Sequence, residues 1–474
     1  MFSKIISKIR NKVAVMKHPF RWLVMAMVAW SWSLTAQSPP QPAADARIER
    51  LVASISEQRL RRLDTTLAGF GTRHTLSDAA SPTRGIGAAR QWIFDELKRS
   101  SPRLQVSFDT YTLAPQSRIT RQVELRNVMA VLPGRTPRRV YISGHYDSLN
   151  TGPGVQLSAT TRPAGGPAVP DPQLQPTFDS NADAPGANDD GSGTALTMEL
   201  ARAFAESGIE FDATLVFICL AGEEQGTFGA KAHAQSLQGE KTVVEAVLNN
   251  DIVGNTRSGS GVVDAGSVRV YSRGPEDSVS RSLARYVERV AAIYVPSHRL
   301  RLMAREDRFD RSGDHVPFAQ AGYPAIVFRE ANENFARQHS ADDTIDGVDF
   351  RYLAQNARVN AAGAASLALA PPAPKVTGDR GQSLASRDPS GYDASIRWNR
   401  SADAVAYRVY WRTTWTNDWQ RQQTVGNVTQ FTLPGVPIDD FVFGVAAIGA
   451  NGHESLVSAY LPTVRSNPEI KIIK

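Results

Sequence analysis

Five short polar segments within residues 144–344 each bring metal-type donors to the end of an apolar run, and this constrains the fold more than any other feature. They are Gly144-His145-Tyr146-Asp147, Ala187-Asn188-Asp189-Asp190-Gly191, Ala221-Gly222-Glu223-Glu224, Asn249-Asn250-Asp251 and Gln338-His339-Ser340-Ala341-Asp342-Asp343-Thr344. The runs at 140–142, 215–220, 243–248 and 325–328 are short and rich in β-branched and aromatic residues, which predicts buried strands. In an open α/β sheet, ligands gather beyond the carboxyl ends of the strands, where these polar residues fall. Histidine, aspartate and glutamate without cysteine suit a catalytic zinc site better than a structural one.

Asn188-Asp189-Asp190-Gly191 also has the form of a turn and N-cap, with Asp190 or Ser192 as the cap, for a helix carrying Leu196, Leu200 and Phe204 on one face. Glu223-Glu224 alone would read as a solvated turn. The apolar run before it and Gly226 and Gly229 after it favour a site. Cys219 lies within a predicted strand, which suits an inert core thiol.

Together these residues resemble peptidase family M28, zinc aminopeptidases that carry two metals bridged by one carboxylate. The resemblance covers about residues 45–370 and includes Asn127-Val128 and Pro133-Gly134, expected before the first strand, together with Asp314-His315 and Gly322-Tyr323-Pro324-Ala325. It implies a three-layer α/β fold around a mixed sheet, the zinc-exopeptidase fold, and two Zn2+ per chain. Asp189 would bridge the metals, His145 and Asp251 would complete one, and Glu224 and His339 the other. Glu223 would be the catalytic general base. Asp147 would hold the His145 imidazole, Asp343 would orient the His339 segment, and Asp314 would support the site from outside the ligands. Three ligand carboxylates against two dications leave room for a bridging hydroxide, formed because coordination lowers the pKa of water to about 7. The implied activity is aminopeptidase action on peptide or protein substrates. A carboxypeptidase of the same family, a glutaminyl cyclase-like acyltransferase and a non-catalytic binding protein are the competing readings, with Arg311, Arg329 and Arg337 as candidate partners for a terminal carboxylate.

The net charge of +6 does not mark a nucleic-acid partner. Residues 1–21 carry six cationic residues and no acid, equal to the whole excess. That cluster precedes the apolar stretch 22–34 and Thr35-Ala36-Gln37, which reads as a secretory signal over residues 1–36, with an uncleaved anchor as the alternative reading. Export to the periplasm or outside the cell follows, with membrane contact only through that segment. A peptidase domain is expected over 37–370, opening on a Pro/Ala-rich tether at 38–45 and one helix over 46–63, with a second helix at 87–97. The long Gly- and Pro-rich stretch between Asp147 and Asp189 is expected to rim the substrate cleft.

From Pro371 the texture changes. Pro371-Pro372-Ala373-Pro374 reads as a linker, and short alternating runs around Trp398, Tyr407-Arg408-Val409-Tyr410-Trp411, Leu433 and Val442-Phe443-Gly444-Val445 predict an all-β sandwich over 375–465. These residues resemble a fibronectin type III domain. Trp415 and Trp419 are read as ordinary packing residues, with an aromatic ligand patch as the alternative.

Overall fold

The computed structural model describes residues 44–151, 178–389 and 391–461. The expected signal segment, nearly all of the tether and most of the Gly/Pro-rich stretch lie outside these residues. Gln41–Lys474 form one compact unit.

Eight strands form a mixed sheet: β1 (Gln105–Leu113), β2 (Val123–Leu132), β3 (Thr136–His145), β4 (Ala213–Leu220), β5 (Val244–Asn250), β6 (Ser267–Ser272), β7 (Arg299–Met303) and β8 (Ala325–Glu330), in the spatial order β1-β2-β4-β3-β5-β8-β6-β7. The central strands β4, β3, β5 and β8 are parallel, with His145 opposite Leu220 and Ser143 opposite Asn249. Their carboxyl ends therefore share one edge, and that edge carries the site.

Alternation along β4 shows how the layers are assembled. Leu215, Phe217 and Cys219 pack into one core, whereas Val216, Ile218 and Leu220 pack into another. Successive side chains of a strand point to opposite faces, so a strand buried on both faces needs a continuous apolar run. The first face is covered by α1 (Ala46–Ala53), α2 (Glu57–Ala68), α3 (Gly85–Ser100), α4 (Ser192–Glu206), α6 (Val279–Tyr294) and α8 (Phe350–Ala368), and the second by α5 (Phe228–Gly239) and α7 (His315–Gln320). Leu196, Leu200 and Phe204 of α4 are fully buried, as their spacing predicts.

Two sequence expectations need correction here. The periodicity over 46–63 spans two helices, because the chain breaks at Ser54-Ile55-Ser56 and the Ser56 side chain accepts from the Arg59 N–H to start α2. Asn127-Val128 sit inside β2, the second strand, rather than ahead of the first.

The C-terminal region holds β9 (Ala385–Arg387), β10 (Asp393–Arg397), β11 (Ala404–Thr413), β12 (Arg421–Val425), β13 (Gln430–Pro437), β14 (Phe441–Gly449) and β15 (Ser458–Ala459). They form a three-stranded and a four-stranded sheet, and residues of both, including Ile396, Leu433, Tyr407 and Val445, share one core with Trp398. The proline segment before them is not a free spacer. Pro371 and Pro374 are buried, and Pro371 packs on Gly449. Arg412 pairs with Asp277 at 2.5 Å, the Ser282 hydroxyl donates to the Val457 carbonyl at 2.7 Å, and Leu456 enters the main core. Trp419 packs on Tyr410, but Trp415 is 95 % exposed, contrary to the packing expected for it.

Candidate active site

Three donors arrive directly from the parallel strands. His145 is the last residue of β3, Glu224, with Glu223 before it, follows the turn after β4, and Asp251 follows β5. The other two do not follow strands closely, against expectation. Asp189 sits in the single turn Ala187–Gly191 that leads into α4, and His339 lies in the loop between β8 and α8. A loop ligand lacks the periodicity of the strand that would announce it.

The five donors nevertheless converge. Asp189 turns one carboxylate oxygen to each histidine, Oδ1 at 3.3 Å from His145 Nε2 and Oδ2 at 3.2 Å from His339 Nε2. His145 Nε2 is also 3.9 Å from Asp251 Oδ1, and His339 Nε2 is 3.2 Å from Glu224 Oε2. Two triads result, His145–Asp189–Asp251 and Asp189–Glu224–His339, with Asp189 common to both. Tetrahedral zinc with bonds of about 2.0–2.2 Å places neighbouring donors roughly 3.3 Å apart, so the spacings fit an ion in each triad. His145 Nε2 and Glu224 Oε1 are buried with no hydrogen-bond partner among the described residues, which is what a donor reserved for a metal looks like.

The electrostatics agree. Burial alone would lower the His339 imidazole, but the Glu224 and Asp189 carboxylates outweigh it and hold it up at about 10. His145 is also raised, against burial, by Asp189 and Asp251. A pocket that draws protons onto imidazoles at neutral pH has an excess of buried negative charge, and dications answer that excess. Glu223 lies 4.0 Å from His145 Nε2 and completes neither triad. Burial, reinforced by Asp251 and Glu224, pushes its carboxyl well above the usual range, as suits a proton carrier.

Supporting residues hold the donors through their backbones. The His145 Nδ1–H donates to the Asp147 carbonyl at 3.1 Å, while the Asp147 carboxylate stays 3.7 Å from that nitrogen. That carboxylate instead accepts the N–H groups of Glu223 and Glu224 at 3.2 and 3.1 Å, so Asp147 positions the glutamate pair and holds His145 only through its main chain. Asp343 does not orient His339 through its side chain. Its carboxylate accepts the N–H groups of Asn188 and Asp189 at 3.0 and 2.9 Å and fixes the turn that carries Asp189. Asp314 is buried, and its carboxylate has no hydrogen-bond partner among the described residues. Burial, with Asp147 and Asp251 nearby, pushes it up to about 8. Gly191, neither Asp190 nor Ser192, stands at the N-cap of α4, and the Asp190 carboxylate ties the helix start to the site by accepting the N–H groups of Gly193, His145 and Ile252.

Further residues organise the site from outside the donors. Arg73, fully buried, donates to the carbonyls of Tyr146, Gly186, Leu67 and Pro185, joining the exit of β3 to the Asp189 turn. Asn127 accepts the Ala221 N–H at 3.0 Å and sets the turn that presents Glu223. Arg329 is fully buried and pairs with Asp251 at 2.6 Å and Asp307 at 2.7 Å, which takes it out of reach of a substrate carboxylate, and Arg337 pairs with Asp346. Cys219 is buried, and burial pushes its thiol far up. His315 donates to the Glu306 carbonyl, and His74, His233 and His453 contribute to neither triad.

Residues 127–364 match the model of peptidase family M28. The chain belongs to peptidase family M28. A probable zinc metalloprotease of the fungus Leptosphaeria maculans is 37 % identical over 451 residues, covering 88 % of this chain and 97 % of that protein. A second, from Pyricularia oryzae, is 37 % identical over 471 residues and covers 90 % of this chain and 86 % of its own. Among solved structures, LapB from Legionella pneumophila superposes with a TM-score of 0.52 at 20 % identity, covering 70 % of this chain and 78 % of its own, and thereby shows the same fold. This M28 chain places the ligand-bearing segments of its strands within the matched residues, and the C-terminal sheets outside them.

Proposed function

We propose that this M28 chain is an exported dinuclear zinc aminopeptidase. The observation that carries the reading is the shared carboxylate of Asp189, one oxygen to each triad. Zinc is favoured by the His/Asp/Glu donor set and by relatives described as zinc metalloproteases. His145, Asp189 and Asp251 would hold one ion and Asp189, Glu224 and His339 the other. When bound, the ions supply a water of lowered pKa and polarise the scissile carbonyl.

The protein's own residues do the rest. Glu223 takes the proton of the attacking water and returns it to the leaving amine, a contribution of about 10²–10⁴-fold. Its backbone is clamped by Asp147, so the carboxylate is held in place for both transfers. The family resemblance favours a free amino terminus at this site, and so cleavage from the amino end. The signal-like residues 1–36 support export, and the C-terminal sheets are read as a fibronectin type III-like domain that supplies no ligand.

A peptide offered with a free amino terminus and with an acetylated one tests the direction of cleavage. The free peptide should lose its first residue and the acetylated one should be inert. Equal cleavage of both, stopped by a C-terminal amide, would make the enzyme a carboxypeptidase.

A further inference from the structure

Beside the acidic cluster lies a recess of about 480 Å³ with the opposite charge. Its floor is Glu333, which is nearly buried and meets three guanidiniums, Arg269 at 2.5 Å, Arg308 at 3.0 Å and Arg311 at 3.3 Å. Arg308 and Arg329 share Asp307, and Arg329 also pairs with Asp251. With Arg305, whose side chain has no ion-pair partner among the described residues, five guanidiniums face three carboxylates. The recess therefore keeps a positive excess.

The two least committed arginines are arranged alike. Arg305 stands over Phe309 at 5.5 Å from its centroid, and Arg311 over Phe335 at 5.5 Å. Both rings line the recess and are open to solvent, at 74 % and 58 %. Rings placed for stability are normally buried. A guanidinium stacked on a ring loses little donor capacity, because its N–H groups lie in its own plane and point past the ring edge. That geometry suits bidentate recognition of a carboxylate between apolar walls.

Both walls lead to the metal-type cluster. The loop carrying Glu333 and Phe335 runs on to His339, and Arg311 Nη1 donates to Gln338 Oε1 at 3.1 Å, next to that ligand. The loop carrying Arg305, Phe309 and Arg311 runs on to Gly313, where a Cβ would lie 3.4 Å from Asp251 Oδ2.

We propose that this recess is a subsite for a carboxylate of the peptide substrate, recognised by Arg305 and Arg311. The inference rests on the aminopeptidase reading and extends it. An acidic cluster beside a basic recess matches a short peptide with its amine at the metals and its carboxylate a few residues away. The carboxylate is either the substrate's own C terminus or an acidic side chain.

The test compares kcat/KM within each enzyme. A neutral tripeptide is offered as free acid and as C-terminal amide, and the amide is also offered with glutamate or glutamine at its second position. The native enzyme should favour the free acid, or glutamate over glutamine, by at least about tenfold, the order one charge-assisted hydrogen bond supplies. The first preference assigns the C terminus and the second a side chain. In Arg305→Gln/Arg311→Gln either ratio should fall towards one, and Arg305→Gln alone, at an exposed position outside the Glu333 network, should show part of the fall. No preference in the native enzyme, or a preference that survives in both variants, would overturn the proposal. An N-acetylated free acid separates the two readings. Its cleavage would end the aminopeptidase reading while leaving the recess as a C-terminal carboxylate site, whereas ratios of one with strict need for a free amine would do the reverse.

Discussion

The Asp343 carboxylate accepts the backbone N–H of Asp189 at 2.9 Å, so the residue common to both triads is aimed by one more than 150 positions away in sequence. The other oxygen takes the Asn188 N–H, so one carboxylate holds two successive backbone groups of the turn. Burial, with the Asp189 charge close by, pushes Asp343 up to about 7 even though both N–H groups pull it down. Replacing Asp343 by asparagine sets an amide NH2 against one of those N–H groups. We predict a loss of metal affinity of about 10–100-fold, the usual size for a residue that orients a ligand, read by competition with a zinc chelator. Unchanged affinity would show that the turn is held without Asp343.

Arg73 should matter to stability more than its distance from the ligand atoms suggests. Arg73→Met leaves four carbonyls without their donor and the buried carboxyl of Asp64 without its cationic neighbour. Removing one partner from a buried charged network costs roughly 3–5 kcal/mol, measured here by denaturant unfolding of the metal-loaded protein. A loss under about 1 kcal/mol would mean the carbonyls find other donors.

Zinc uptake should expel protons. His339 is held up at about 10 in the metal-free protein, so at pH 7 it carries a proton that a metal must displace. A raised imidazole favours the protonated, metal-free state at low pH, and that preference fades as pH rises towards 10. Apparent zinc affinity should therefore climb with pH from 6 to 8. Calorimetry at pH 7 in two buffers of different ionisation enthalpy should give different heats, and identical heats would contradict the charge state assigned to the cluster.

Removing the C-terminal sheets after Ala370 should lower thermal stability without removing a ligand. The cut strips Leu456 from the main core and leaves Asp277 without Arg412. We expect a lower Tm with zinc content unchanged at 20 °C. A folded truncation that has lost zinc would show that these sheets shape the site.

Much of this arrangement is legible in the sequence, and the boundary is physical. His145, Glu223, Glu224 and Asp251 can be found because each ends an apolar strand, where period and composition are strong. The Asp189 and His339 segments stand out only as polar runs of metal-type residues, and their donor roles rest on the family resemblance, since a turn and a loop carry no period. The carboxylates of Asp147 and Asp343 both grip backbone N–H groups, which every residue has, so those targets leave no trace in residue type. Arg73 and Asn127 likewise bind main-chain groups far away in sequence. The basic recess is built from arginines that sequence alone cannot separate from a solvated surface, and only the stacking of Arg305 on Phe309 and Arg311 on Phe335 distinguishes it.

The most direct test of the dinuclear reading is the zinc content of purified native protein and of Glu223→Gln, measured beside turnover. Glutamine cannot accept the proton, yet Glu223 belongs to neither triad, so the variant should keep both ions. The account predicts two zinc ions per chain in both proteins and a fall in kcat of about 10²-fold or more in the variant. One ion per chain in the native protein, or near-native turnover in Glu223→Gln, would contradict it.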